Sequence, residues 1–346
     1  MSPDEFGRRV LDWFDAHGRK YLPWKENLTP YRVWVSEIML QQTQVATAIP
    51  YYERFVARFP DLTALADAGL DEVLGLWAGL GYYARARHLH RAARIARDRH
   101  GGELPLDSAT LRSLPGIGRS TAGAILALAA GQRQPILDGN VKRLLARFAA
   151  VEGWPGQARV LAALWELADR YTPAARVADY TQAIMDLGAL VCTPRRPRCD
   201  RCPLAAGCAA HAQGRQSAYP APKPRRDSPV RATRMLLLCG LEGEVLLERR
   251  PPAGVWGGCG VFPNAPWRWI SAPGARNGWG WRSRSGHRGA CCGTVSAIFI
   301  WILRRCRRRS RRRLERSWKE SGLSGITPAV PTNGGWPRRC GGCWRC

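Results

Sequence analysis

Seventeen residues constrain this chain more than any other stretch: CTPRRPRCDRCPLAAGC, residues 192–208. They place Cys192, Cys199, Cys202 and Cys208 with six, two and five residues between successive thiols. Zinc sites usually draw their ligands as two close pairs separated by a longer loop. Here one thiol stands apart from a tight group of three. So compact a four-thiolate spacing suits an iron–sulfur cube, which needs four cysteines around one centre. A zinc knuckle and four unrelated thiols are the alternatives. Arg195, Arg196, Arg198 and Arg201 lie between the cysteines and give the loop a basic surface that could meet phosphates.

Charge points the same way. The chain has 346 residues, room for about two domains, and carries 53 Lys+Arg against 27 Asp+Glu, a net charge of +26. That imbalance implies a polyanionic partner, with nucleic acid first. It is uneven: residues 265–346 hold 18 basic and 2 acidic residues, leaving +10 on the first 264. No apolar run reaches the roughly 18 residues of a membrane span, and MSPDEFGRRV lacks the basic-then-apolar order of a signal peptide. A cytoplasmic address with no membrane partner is expected, nucleoid-associated if the source is bacterial. The 12 cysteines then read as ligands or free thiols rather than disulfides.

From residue 2 to about 212 the pattern is helix after helix. Ser2-Pro3-Asp4-Glu5 has the form of a capping box, and Thr29-Pro30 opens a second helix over YRVWVSEIML. Further helical patterns cover about 61–75, 84–99, 107–113, 119–130, 139–150, 156–171 and 175–190, mostly punctuated by Gly or Pro. An all-α domain over 1–212 is expected. Residues 213–230, rich in Pro, Ser and charge, read as a linker. RATRMLLLCG and EVLLERR then read as two strands about a turn at Glu242-Gly243, opening a small β-containing module over 231–264.

Leu114-Pro115-Gly116-Ile117-Gly118 lies between two short helices, a helix–hairpin–helix arrangement. Gly116 and Gly118 allow a sharp turn close to a partner, and the N–H groups opening the next helix make a phosphate seat. Asp138, in PILDGNVKRLLAR, precedes a helix; it reads as a plain N-cap or as a carboxylate held near the hairpin. Glu37 lies in VWVSEIMLQQTQ among apolar neighbours, where an ionised side chain is costly. It either faces the surface or has a raised pKa that readies it as a proton donor.

The hairpin, ILDGN and the cysteine spacing resemble the helix–hairpin–helix DNA glycosylases related to endonuclease III. LPWKENLTPYRVWVSEIMLQQTQVATAIPYYERF, LWAGLGYYARARHLH, LPGIGRSTAGAILALA and MDLGALVC are similar to the MutY-type adenine DNA glycosylases, and the likeness runs from about residue 5 to 263. It implies a 4Fe–4S cluster on the four cysteines and monofunctional, monomeric action on double-stranded DNA bearing adenine opposite 8-oxoguanine or guanine. It also implies catalytic roles for Glu37, which protonates adenine, and Asp138, which steadies the cationic sugar. Asn140 would help hold that arrangement. Bifunctional relatives carry a lysine at the position of Ser120, so the serine implies a water nucleophile and a contact with the base pocket. Gln41, Gln42 and Tyr82 match positions that fill the gap or touch the lesion pair; an ordinary polar helix face and a core tyrosine are their bland alternatives. Thr43 completes that segment, and Trp24, Leu80 and Gly81 fall in matching pocket motifs.

EVLLERRPPAGVWGGCGVFP resembles the start of this family's Nudix-like domain, without a Nudix hydrolase box. Beyond Phe262-Pro263 the likeness stops, and residues 265–346 hold 8 of the 15 Trp, 6 of the 12 Cys and the run RRCRRRSRRR. Back-translating GTVSAIFIWI, residues 293–302, from the third base of the Gly293 codon permits H-R-F-S-H-F-H-L-D. The family carries F-S-H-F-H-L-D in its 8-oxoguanine-reading loop. A frameshift near 258–270 is therefore expected, with an incomplete Nudix-like module and a disordered, aberrant tail.

Overall fold

The computed structural model describes residues 1–224, 232–239, 247–249, 251, 260–261 and 297–304. One compact unit spans Met1–Arg225, and the described strands belong to a second. The first unit is helical throughout: α1 (Pro3–His17), α2 (Pro30–Leu40), α3 (Val45–Arg58), α4 (Leu62–Asp67), α5 (Leu70–Trp77), α6 (Ala84–Arg99), α7 (Ser108–Ser113), α8 (Arg119–Ala130), α9 (Gly139–Phe148), α10 (Ala158–Tyr171), α11 (Val177–Leu190) and the short α12 (Ala209–Ala212).

Local chemistry starts most of these helices. Ser2, Thr29, Asp61, Asp107 and Asp138 are N-caps whose side chains accept backbone N–H groups of the first turn. At α1 only half of the expected box forms, because Glu5 pairs with Arg9 instead of turning back. Two helices depart from the sequence reading. The single helix expected over 61–75 breaks at Ala68-Gly69 into α4 and α5. Helix α3 was not expected at all, since Pro50 and β-branched residues blur its period; it still buries Ala48, Tyr52 and Phe55 along one face. Among the described residues no helix is long and apolar enough to cross a membrane.

Two apolar cores share one helix. Trp34, Met39, Tyr52, Phe55, Leu65, Trp77 and Leu89, from α2 to α6, form the first. Phe6, Val10, Leu144, Leu164, Ile184 and Leu187, from α1 and α9 to α11, form the second. Burying such side chains stabilises a fold by roughly 1.5–3 kcal/mol each. Helix α8 serves both, sending Ala122, Ile125 and Leu126 into the first core and Ala124 into the second. Its N-terminus therefore lies at the junction of the two lobes. A buried pair fixes the second lobe: Asp186, fully buried on α11, accepts from the Arg19 guanidinium at 2.6 and 3.0 Å, from the Arg19 backbone N–H and from Gln182.

The linker begins later than its composition implies. Tyr219 is buried, and the carbonyls of Gln216 and Tyr219 accept from Arg147 of α9, so this segment is docked on the helical unit. In the second unit β1 (Ala232–Cys239) and β2 (Glu248–Arg249) form where strands were expected, but they do not pair with each other. Strand β1 pairs antiparallel with β4 (Ala297–Arg304), Ala232 opposite Arg304 and Cys239 opposite Ala297. Strand β2 pairs with β3 (Gly260–Val261). The apolar run AIFIWILR matches β1 in length, whereas β2 has only two residues to offer. Thus one strand forms inside the tail expected to be disordered; the rest of that tail, and the turn at Glu242-Gly243, lie outside the described residues.

Candidate functional site

Glu37 and Asp138 are brought together from opposite lobes. Helix α2 carries Glu37, packs on α8 and is buried over Tyr31, Val33–Ser36, Ile38 and Met39. Glu37 is the acid on an otherwise apolar surface. Burial pushes its carboxyl up to about 7, and the neighbouring Asp138 charge adds to the rise. Asp138 enters through the N-cap of α9, where its Oδ1 accepts the Val141 N–H at 2.8 Å. Burial raises Asp138 as well; the Val141 and Asn140 N–H groups and the Arg143 and Lys142 charges pull against that rise. The plain N-cap reading is therefore true, and the same carboxylate also faces Glu37.

Two glycines let the Asp138 segment in so close. A Cβ on Gly123 of α8 would sit 2.6 Å from the Pro135 carbonyl oxygen, and one on Gly188 of α11 would sit 2.7 Å from the Asn140 Cβ. Ser120, in the first turn of α8, accepts the Leu137 N–H at 2.9 Å. The hairpin is anchored by buried Leu114 and Ile117, while Gly116 and Gly118 are exposed. Gly116 adopts φ 84°, and a Cβ there would meet His88 at 2.9 Å.

The remaining predicted residues divide into two places. Gln41, Gln42 and Thr43 follow α2, and Leu80, Gly81 and Tyr82 precede α6. Tyr82 is 64 % exposed, which removes the core-tyrosine alternative, and Leu80 is buried. Trp24 lies in the first core with its indole edge-on to Tyr52, ring centroids 5.4 Å apart.

Three arginines escaped the sequence reading. Arg85 joins the two loops just named. Arg143 donates to Asn140 Oδ1 at 2.9 Å, to the Gly188 carbonyl at 2.6 Å and to the Cys192 carbonyl at 2.8 Å. Arg147, only 3 % exposed, donates to Cys192 Sγ at 3.3 Å and to the carbonyls of Thr193, Pro194, Gln216 and Tyr219. The available signal was a guanidinium at a helical position whose period faces the core.

With this geometry in place, the comparisons decide the family. A family model described as HhH-GPD superfamily base excision DNA repair protein matches residues 35–170. Another, the iron–sulfur binding domain of endonuclease III, matches residues 192–208. The adenine DNA glycosylase of Buchnera aphidicola subsp. Schizaphis graminum is 40 % identical over 259 residues, covering 75 % of this chain and 74 % of that protein. The chain belongs to the adenine DNA glycosylases. The Rattus norvegicus adenine DNA glycosylase is 45 % identical over 246 residues, spanning 68 % of this chain and 47 % of the rat protein. Among solved structures, a thermostable thymine-DNA glycosylase is similar with a TM-score of 0.54 at 25 % identity, covering 61 % of this chain and 97 % of that one. A non-covalent endonuclease III–DNA complex gives 0.52 at 20 % identity over 62 % and 98 %, a likeness of fold.

As an adenine DNA glycosylase the chain is a base-excision repair enzyme that removes adenine, and its cluster loop holds a 4Fe–4S centre. The local chemistry fits that group. Cys192, Cys199, Cys202 and Cys208 are all free thiols and line one cavity with Leu144, Arg147, Phe148 and Leu204. Among the described residues no three thiols, imidazoles or carboxylates converge as a single ion requires. A shared cavity without tight convergence suits a polynuclear centre better than one zinc. Burial raises the thiols of Cys199 and Cys208, and pushes Cys202 up to about 12, so a bare thiolate is disfavoured there. Iron would take the proton's place and the cluster would serve as a structural tie for the loop.

Proposed function

We propose that this adenine DNA glycosylase hydrolyses the N-glycosidic bond of adenine mispaired with 8-oxoguanine or guanine in double-stranded DNA, acting as a monomer and without lyase chemistry. The observation that carries the reading is Glu37, a carboxyl raised to about 7 and facing Asp138 between two lobes. Such an acid is half protonated near neutrality, the optimum for giving and then taking a proton.

The adenine leaves the stack first, at a cost of a few kcal/mol that is least at a mispair. Protonated Glu37 gives its proton to adenine N7. The bond from C1′ to N9 then breaks with its electron pair passing to the purine, leaving an oxocarbenium-like sugar. Asp138 stabilises that cation electrostatically, and Asn140 holds the start of α9 in place. Glu37, now a carboxylate, accepts a proton from the water that adds to C1′. Free adenine and an abasic sugar result. Ser120 supplies no amine for a Schiff base. Gly116 and Gly118 seat a backbone phosphate, while Gln41, Gln42, Thr43 and Tyr82 enter the duplex and Trp24, Leu80 and Gly81 shape the pocket behind them. Cys192, Cys199, Cys202 and Cys208 ligate the cluster.

The C-terminal portion is read as an incomplete Nudix-like module followed by residues translated out of frame, which would weaken 8-oxoguanine discrimination. Sequencing the gene tests this: a single frame without F-S-H-F-H-L-D in its neighbour refutes it. The excision reading is tested by single-turnover release of adenine from duplexes holding A:8-oxoguanine, A:G or A:T, with borohydride trapping alongside. Release from the first two without a trapped complex is expected. A borohydride-stable adduct, or no release at all, overturns the reading.

A further inference from the structure

We propose that Arg85 is a positioning residue that locks two DNA-entering loops into one wedge. The inference rests on the excision reading above, since that reading sends Gln42 and Tyr82 into the duplex.

Both residues hold backbones that L side chains rarely adopt. Gln42 has φ 59° and Tyr82 φ 49°, each at an exposed loop tip. Left-handed conformations of this kind persist only where the surroundings enforce them, and they cluster at working sites. Here the enforcement comes from one side chain. Arg85 Nη1 donates to the carbonyls of Ile38 and Met39 at 2.9 Å and of Gln41 at 2.6 Å. Its Nη2 donates to the carbonyls of Leu80 at 3.1 Å and Gly81 at 3.2 Å. Thr43 Oγ1 lies 3.4 Å from both nitrogens and bridges the two sets.

The partner set is informative. The carbonyls of Ile38 and Met39 belong to the last turn of α2, where carbonyls lack helical partners and the dipole favours a cation. Gln41 O immediately precedes one strained residue, and Gly81 O immediately precedes the other. No ion pair with a carboxylate is formed by Arg85 among the described residues; its two Nη atoms are committed to backbone carbonyls and the Thr43 hydroxyl, while its buried Nε has no partner among the described residues. The guanidinium also faces the rings of Trp77 and Tyr82, 5.4 and 5.7 Å from their centroids, and Trp77 Nε1 donates to Gly81 O at 3.2 Å. A planar fork with donors on two sides can span two loops; the compact ammonium of lysine cannot.

A rigid wedge matters when a base must be forced from the stack and matters little when the base is already out. The test therefore compares substrates. In the full-length protein, Arg85→Lys is expected to slow single-turnover adenine release from an A:8-oxoguanine duplex about 100-fold. Release of adenine from an unpaired bulge should fall less than about 5-fold, and affinity for undamaged duplex at matched salt should change less than about 2-fold. Amide hydrogen exchange should rise together in peptides covering 41–43 and 80–83 and stay unchanged at the hairpin, 114–118. Equal slowing on paired and unpaired adenine, or exchange that rises in one loop alone, overturns the proposal. If Arg85→Lys does not fold, Arg85→Gln, whose single amide can serve one loop but not span both, decides it: a several-fold loss confined to the paired substrate supports the wedge, and an unchanged paired-to-unpaired ratio refutes it. A wild-type protein that releases no adenine from either substrate refutes the excision reading instead, and the exchange measurement still decides the clamp.

Discussion

Ser120 Oγ accepts the backbone N–H of Leu137 at 2.9 Å, tying the first turn of α8 to the residue before Asp138. The hydroxyl is thus engaged in holding the segment that delivers a carboxylate. Ser120→Ala leaves a partly buried N–H without its partner, which costs about 1–3 kcal/mol. We expect a lower melting temperature and adenine release slowed about 10-fold, with no borohydride-trapped complex in either protein. Unchanged kinetics in the alanine variant refutes the positioning role.

Glu37 sits in a fold that would be more stable without its charge. Its carboxyl is raised from the ordinary 4.5 to about 7. A raised acid contributes full stability below its unfolded pKa and loses it as pH climbs through the folded one. The deficit above pH 7 amounts to about 3 kcal/mol. Glu37→Gln should therefore abolish adenine release yet raise the denaturant midpoint at pH 8, with the difference vanishing near pH 4.5. Wild-type release should decline as pH rises past about 7, since the proton donor is lost. A variant that is inactive and also destabilised at pH 8 contradicts the burial argument.

Asp138 acts on Glu37 through its charge, so neutralising it should be visible at Glu37. Asparagine caps helices about as well as aspartate, which keeps α9 and the hairpin intact in Asp138→Asn. Release should drop at least about 100-fold, because the sugar cation loses its counter-charge. The residual activity should lose its alkaline limb at a lower pH than wild type. An unmoved limb separates the two carboxylates.

How near Asp138 can approach is set by two missing methyl groups. Gly188 of α11 admits the start of α9, and an added Cβ would lie 2.7 Å from Asn140 Cβ and 3.0 Å from its backbone. Gly188→Ala cannot be absorbed by a flexible side-chain tip, since the obstacle includes main chain. Adenine release is expected to fall about 10- to 100-fold while the cluster is retained, measured as iron per chain beside single-turnover rates. A rate within twofold of wild type shows that α9 has room to spare.

Much of this was legible from local chemistry. Ser2, Thr29 and Asp138 announced helix starts, the hairpin glycines announced a turn, and a glutamate among Val, Trp, Ile and Met announced either a surface acid or one with a raised pKa, of which burial selects the second. What escaped depended on long-range partners. Helix α3 hides its stripe behind Pro50, and only packing of Tyr52 and Phe55 reveals it. Strand β1 found a partner about 60 residues away in sequence, where the expectation was the next strand along. Arg85, Arg143 and Arg147 looked like ordinary cations of a basic protein because their partners are backbone carbonyls, which carry no sequence signature. The segment after residue 212 read as a linker for the same reason: it is held mainly through backbone groups of Gln216, Tyr219 and Ala221 and one buried tyrosine.

Arg147 ties the cluster loop to the segment after residue 212. It is a buried cation that forms no carboxylate pair among the described residues and donates instead to five carbonyls and to Cys192 Sγ. A cluster ligated by four thiolates carries negative charge, and a guanidinium hydrogen-bonded to one of its sulfurs offsets that charge in a site walled by Leu144, Phe148 and Leu204. Arg147→Met keeps the length and apolar stem but leaves the carbonyls and the sulfur without donors. Two losses should then appear together: fewer irons bound per chain, and faster proteolysis at 213–224, the segment that Arg147 holds through Gln216 and Tyr219. Arg147→Lys should restore iron in part, through its charge, and the docked segment less, because one ammonium cannot reach all six acceptors. Full iron occupancy in the methionine variant would show that the loop closes around its cofactor without help from α9.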